Sequence, residues 1–98
     1  MSSDTPFIAN LDDLRQFVNR TICDLEQLEI NAFPISERLL VRRGKPCGIY
    51  FCLHGPRAVK FSAIWEIEQN RILFYDAAGE RYHRTQLVGQ PDVAAAAA

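Results

Sequence analysis

Between Val59 and Glu68 the side chains alternate, with Val59, Phe61, Ala63, Trp65 and Ile67 on one parity and Lys60, Ser62, Ile64, Glu66 and Glu68 on the other. A period of two sends successive side chains to opposite faces, so this stretch is a half-buried β-strand. Such a strand is not stable alone. It needs neighbours in a sheet and a cover for its apolar face, which commits the chain to a sheet-containing fold. Gln69-Asn70 follows as a two-residue hairpin turn, Asn being tolerant of positive φ. That register sets Glu68 against Arg71, Ile67 against Ile72 and Trp65 against Phe74, like meeting like or complement.

Further strands extend the pattern in both directions. Asp76-Ala77-Ala78-Gly79 is a turn, Asp suiting its first position and Gly the left-handed one. A three-residue loop there opposes Phe74 to Tyr82 and Leu73 to His83. Upstream, Leu39 to Arg42 and Cys47 to Leu53 form two strands joined through Arg43-Gly44-Lys45-Pro46, and Gly55-Pro56 breaks the chain before the long strand. An odd-length loop at that break pairs Leu53 with Val59 and Phe51 with Phe61, whereas an even one would oppose Phe51 to Lys60. The odd loop is expected.

Residues 11 to 29 change period. Leu11, Leu14, Val18, Ile22, Leu25 and Leu28, with Phe17 beside them, recur at three- and four-residue spacing and form one apolar stripe on a helix. Asn10 is its N-cap and Asp13 a first-turn carboxylate; Asn31 and Pro34 end it. The expected fold is α+β: an N-terminal amphipathic helix packed on one face of a five-stranded antiparallel β-meander. Its core draws on Leu39, Val41, Ile49, Phe51, Leu53, Val59, Phe61, Trp65, Ile67, Ile72, Phe74 and Tyr82. Residues 1–9 are expected as a flexible arm, 10–87 as one domain, and 88–98 as a disordered tail that includes five terminal alanines.

Composition bounds the function more than it names it. The 98 residues suffice for one core, and no apolar run approaches the length of a membrane helix. Met1-Ser2-Ser3-Asp4 lacks the basic and apolar regions of a secretory signal. Three cysteines, an odd and sparse set, predict reduced thiols in a cytoplasmic setting rather than a disulfide framework.

The block from Cys47 to Arg84 carries a resemblance. Cys47-Gly48, Phe51, Gly55-Pro56-Arg57, Val59-Lys60, Ala63-Ile64-Trp65 and Ile72-Leu73-Phe74-Tyr75, followed by Asp76, Gly79 and Arg81, resemble short uncharacterised proteins of planctomycete bacteria. The resemblance implies no activity.

Candidate chemistry follows from parity. Cys47, Cys52, His54 and His83, with Cys23 in reserve, are the residue types of a metal site, but strand alternation splits them between faces and no C-x-x-C pair occurs, so neither metal nor cofactor is expected. Cys23 and Cys47 read as small buried hydrophobes. Cys52 and His54 share the outward parity, with Lys60 expected opposite Cys52 and Arg38 flanking it, an arrangement that could lower a thiol pKa. Side chains two apart on a strand are about 7 Å apart at the backbone, and no orienting acid or oxyanion donor is evident. The residues therefore point away from an enzyme. Gly55-Pro56 is first a turn, although it displays Arg57.

Charge is the strongest functional lead. The total is −1, yet residues 1–34 carry two basic against six acidic side chains, and residues 35–64 carry Arg38, Arg42, Arg43, Lys45, Arg57 and Lys60 against Glu37 alone. The outward parity gathers Arg38, Arg42, Tyr50, Cys52, His54 and Lys60, and with Arg57 these form a candidate binding set for nucleic acid: phosphate neutralisation plus an aromatic surface. The same face carries Leu40, Tyr50, Ile64, Leu73 and Tyr75. One helix cannot cover both faces of a sheet, so this set is a candidate interface for a protein partner or a homodimer. The leading expectation is a non-catalytic binding or assembly module using this face. Nucleic-acid binding through 38–60 stands second, and a Cys52-dependent enzyme third.

Overall fold

The computed structural model describes residues 6–91. Helix α1 (Leu11–Glu26) starts as expected: the Asn10 side chain accepts from the Asp13 backbone N–H at 2.8 Å. It stops earlier than Asn31. Gln27 takes a left-handed conformation (φ 57°), and the N–H groups of Gln27 and Leu28 return to the carbonyls of Asp24 and Cys23, closing the last turn.

Five strands follow: β1 (Ile35–Arg42), β2 (Lys45–His54), β3 (Lys60–Glu66), β4 (Arg71–Tyr75) and β5 (Arg81–Gln86), with a 3₁₀ turn at Pro56–Ala58 between β2 and β3. They form one antiparallel sheet in the order β1-β2-β3-β4-β5, so the fold is α+β with a meander. Arg43 and Gly44 alone turn β1 into β2, both at positive φ (53° and 76°), the geometry of a tight hairpin. Lys45 and Pro46, expected within that turn, belong to β2.

Parity places the inner-face residues of β2, β3 and β4 as expected away from two bulges, but the registers differ in detail. β2 and β3 pair Leu53 with Phe61 and Phe51 with Ala63, two residues beyond the expected partners. The loop consists of Gly55–Val59, closed by the Gly55 N–H donating to the Val59 carbonyl at 2.7 Å, so Val59 is spent in the loop. β3 and β4 likewise pair Trp65 with Ile72 and Glu66 with Arg71 rather than Trp65 with Phe74. There the turn spans residues 67–70, because the Asn70 N–H closes onto the Ile67 carbonyl at 3.1 Å. Between β4 and β5, Arg81 pairs with Tyr75 and His83 with Phe74, which makes Tyr82 the extra residue of a bulge.

One buried cluster joins the helix stripe (Leu11, Leu14, Val18, Ile22) to the inner sheet face (Ile49, Phe51, Leu53, Phe61, Ala63, Trp65, Ile72, Phe74). Leu39, Val59 and Ile67 pack at its margin. Fully burying each large apolar side chain stabilises the fold by about 1.5–3 kcal/mol. Two expected core residues are outside it. Val41 is 57% exposed, because a second bulge at Cys47 shifts the register between Leu40 and Val41. Tyr82 is 39% exposed, and its hydroxyl donates to Glu26 at 2.7 Å.

Both ends of the described region make backbone contacts, and residues 1–5 and 92–98 of the expected arm and tail lie outside it. Phe7 and Val88 form a parallel bridge, with the Ile8 N–H donating to the Val88 carbonyl at 2.8 Å. Ile8 and Leu87 enter the core, Gln90 Nε2 donates to the Ile67 carbonyl, and Pro91 is buried. The five-alanine run lies outside the described residues. No described helix is long and apolar enough to cross a membrane.

Candidate functional site

The helix covers one sheet face, so the other can meet a ligand. Register places its side chains in transverse rows. The central row runs Arg38, Tyr50, Ile64, Leu73 and Arg84 across all five strands. Ser36, Cys52, Ser62, Tyr75 and Arg81 form the row on one side; Leu40, Gly48, Glu66, Arg71 and Gln86 form the row on the other. His54 faces Lys60 at the margin. Gly48 is needed in its row because a Cβ there would lie 2.5 Å from the Trp65 carbonyl oxygen.

The cysteine cluster sketched from the sequence is not assembled. Cys52 lies between Ser36 and Ser62, whereas Arg38 is opposite Tyr50 and Lys60 opposite His54. Cys52 is buried, and His54 Nε2 is 3.1 Å from Ser36 Oγ. Cys23 is also buried, and burial raises its thiol pKa. Cys47, expected to face inward, is half-buried at its bulge. Among the described residues no group of three His, Cys, Asp or Glu side chains is arranged to hold a metal.

The apolar set is less exposed than parity alone implied. Leu73 is 5% exposed, and Leu40, Tyr50, Ile64 and Tyr75 are half-buried. Tyr50 is held by its hydroxyl, 3.0 Å from Ser62 Oγ.

Charge is where the structure adds most. Arg71, Arg81 and Arg84 join Arg38, Arg42 and Lys60 around this face, and Glu66 is the one carboxylate in its rows. Glu66 is occupied by Arg71 at 2.6 Å. The other ion pair among the described residues, Arg15 Nε to Glu37 Oε1 at 2.8 Å, ties the helix to β1 on the opposite side. Arg38, Arg42, Arg43, Lys45, Arg57, Lys60, Arg81 and Arg84 therefore have no carboxylate partner among the described residues. The acidic side chains Asp12, Asp13, Asp24 and Glu26 ride on the helix.

Summing charge along the chain hides Arg81 and Arg84, since within residues 65–98 Glu66, Glu68, Asp76, Glu80 and Asp92 outweigh the basic side chains. Strand pairing, not sequence proximity, brings them beside Tyr75 and Leu73. Between the β1–β2 hairpin and the β3–β4 turn the face dips into a depression of about 660 Å³ whose charged lining is mixed, with Arg42, Arg43, Lys45 and Arg71 beside Glu66 and Glu68. Arg57 stands apart on the loop, itself left-handed (φ 57°), as is Ala58 (φ 63°). No protein-family model, curated protein or solved structure matches the chain.

Proposed function

We propose that the protein is a non-catalytic binding module and that the outward sheet face is its working surface, with an anionic partner. One observation carries this reading: a row formed by half-buried Tyr50 and Ile64 and buried Leu73 is capped at its two ends by Arg38 and Arg84, neither of which has a carboxylate partner among the described residues. Unpaired cations concentrated on one face raise the local concentration of anions whatever the total charge.

A homodimer packed back to back through this face is the weaker reading. A twofold axis sets the same patch against itself, so the basic rim of one copy would meet the basic rim of the other. Glu66, already held by Arg71, could not offset that repulsion. The burial of Leu73 also removes apolar area that such an interface would use.

Retention on immobilised heparin, a sulfated polyanion, tests the reading. The wild type, despite a net charge of −1, is expected to bind at low salt and elute as salt rises. The Arg38→Glu/Arg84→Glu variant is expected in the flow-through, while Arg20→Glu on the helix elutes like the wild type. Passage of the wild type unretained at low salt overturns the proposal.

A further inference from the structure

The geometry points to single-stranded nucleic acid as the occupant of this face; the inference rests on the binding-module reading above and specifies its partner. Three features favour this polyanion over others. The first is aromatic: Tyr50 and Tyr75 stand in adjacent rows and on strands separated only by β3, both half-buried, so they offer ring surface among the cations rather than away from them. An acidic peptide needs the charges but not the rings, whereas an unpaired base stacks on an aromatic side chain whatever its identity.

The second is shape. Neighbouring strands lie about 4.8 Å apart, so the row from Arg38 on β1 to Arg84 on β5 is about 19 Å wide. A B-form major groove is about 12 Å wide and admits a helix or a two-stranded ribbon, not the face of a five-stranded sheet. A duplex can therefore meet this surface only through its backbone, while a single strand can lie along it with bases down and phosphates toward the rim.

The third is the layout of charge. Cations stand at both ends of the central row, at Lys60 on one margin and at Arg42 on the other, so a strand crossing the platform along the row meets a basic side chain at each end, with Glu66 and Glu68 confined to the end of β3 and the β3–β4 turn. The helix carboxylates lie across the core from this surface and direct a polyanion to it.

The test is fluorescence anisotropy with labelled mixed-sequence dodecamers, as single-stranded DNA, single-stranded RNA and duplex DNA, beside a labelled polyglutamate of equal charge. A single strand of either sugar is expected to bind at least tenfold more tightly than duplex or polyglutamate, with affinity falling steeply as salt rises. The DNA and RNA arms show which source of the chemistry is preferred. Tyr50→Leu and Tyr75→Leu are each expected to weaken single-strand binding about fivefold or more. Tyr50→Phe, which keeps the ring and removes only the hydroxyl bonded to Ser62, is expected to bind like the wild type, and a thermal melt of Tyr50→Leu matching the wild type separates the loss of stacking from a folding defect. Equal binding of polyglutamate, or indifference to the tyrosine variants, overturns the nucleic-acid inference and leaves an anion-binding face in place. Failure to bind any of the polyanions overturns both.

Discussion

The indole Nε1 of Trp65 donates to Asn70 Oδ1 at 3.1 Å, and the amide of the same Asn70 donates to the Gly89 carbonyl at 2.9 Å. One side chain thereby satisfies the only tryptophan, which is fully buried, and fastens the C-terminal segment to the β3–β4 turn. Asn70 also supplies the left-handed residue of that turn (φ 50°). Replacing it with Ala leaves a buried donor unpaired and puts a Cβ-bearing residue without a helpful side chain at positive φ. Asn70→Ala is expected to cost about 2–4 kcal/mol, combining the unpaired donor with the backbone penalty. Urea unfolding followed by Trp65 fluorescence reads the change directly; a loss below 0.5 kcal/mol, on the order of an ordinary surface substitution, would contradict this role.

Tyr82 and Glu26 give the fold an alkaline limit. Burial and the bond to Glu26 push the phenol pKa well above its ordinary value of about 10. Below that value both the folded and unfolded states hold a neutral phenol, and the contact is intact. Above it the unfolded chain ionises first, so stability falls as pH rises. Thermal melts between pH 9 and 11 should show the wild type losing more stability than Tyr82→Phe, with the difference modest because the side chain is part-exposed.

Gln27 closes the helix in a conformation that suits glycine better. Its side chain is exposed and makes no hydrogen bond among those of the described residues, so little is lost by removing it. Gln27→Gly is expected to raise stability by up to about 1 kcal/mol. A destabilised variant in the same urea assay would contradict the assignment of the helix end.

Thiol accessibility separates the three cysteines. Cys23 is buried with a raised pKa, Cys52 is buried on the outward face, and Cys47 is half-buried at a bulge. In the native protein Cys47 should be alkylated first by iodoacetamide, with Cys23 reacting last, as read by peptide mass spectrometry after timed quenching. Fastest reaction at Cys52 would restore the case for a reactive thiol.

The contrast between sequence and structure lies in what alternation can and cannot carry. Parity assigned Phe51, Phe61, Trp65 and Phe74 to the core and Arg38, Tyr50, Ile64 and Leu73 to the opposite face, because a period of two fixes faces without reference to partners. Register was harder. A shift of two residues preserves every face, so the hydrophobic pattern could not distinguish Leu53 opposite Val59 from Leu53 opposite Phe61; the loop hydrogen bonds of Gly55 and Asn70 decide it. Bulges at Cys47 and Tyr82 leave no periodic signal, and they account for the exposure of Val41 and Tyr82. The candidate site was half legible for a related reason. Its cations on β1 to β3 fall in one segment, residues 38–60, whereas Arg81 and Arg84 arrive only through pairing.

The central claim is that the outward face, and not the helix side, is the working surface. Mapping ¹H–¹⁵N chemical-shift changes during titration with a single-stranded dodecamer at low salt tests it most directly. The account predicts the largest changes at Arg38, Tyr50, Ile64, Leu73 and Arg84, fading as salt rises, with Leu14, Val18 and Ile22 unmoved. Changes centred on the helix, or none at a millimolar excess of oligonucleotide, would contradict it.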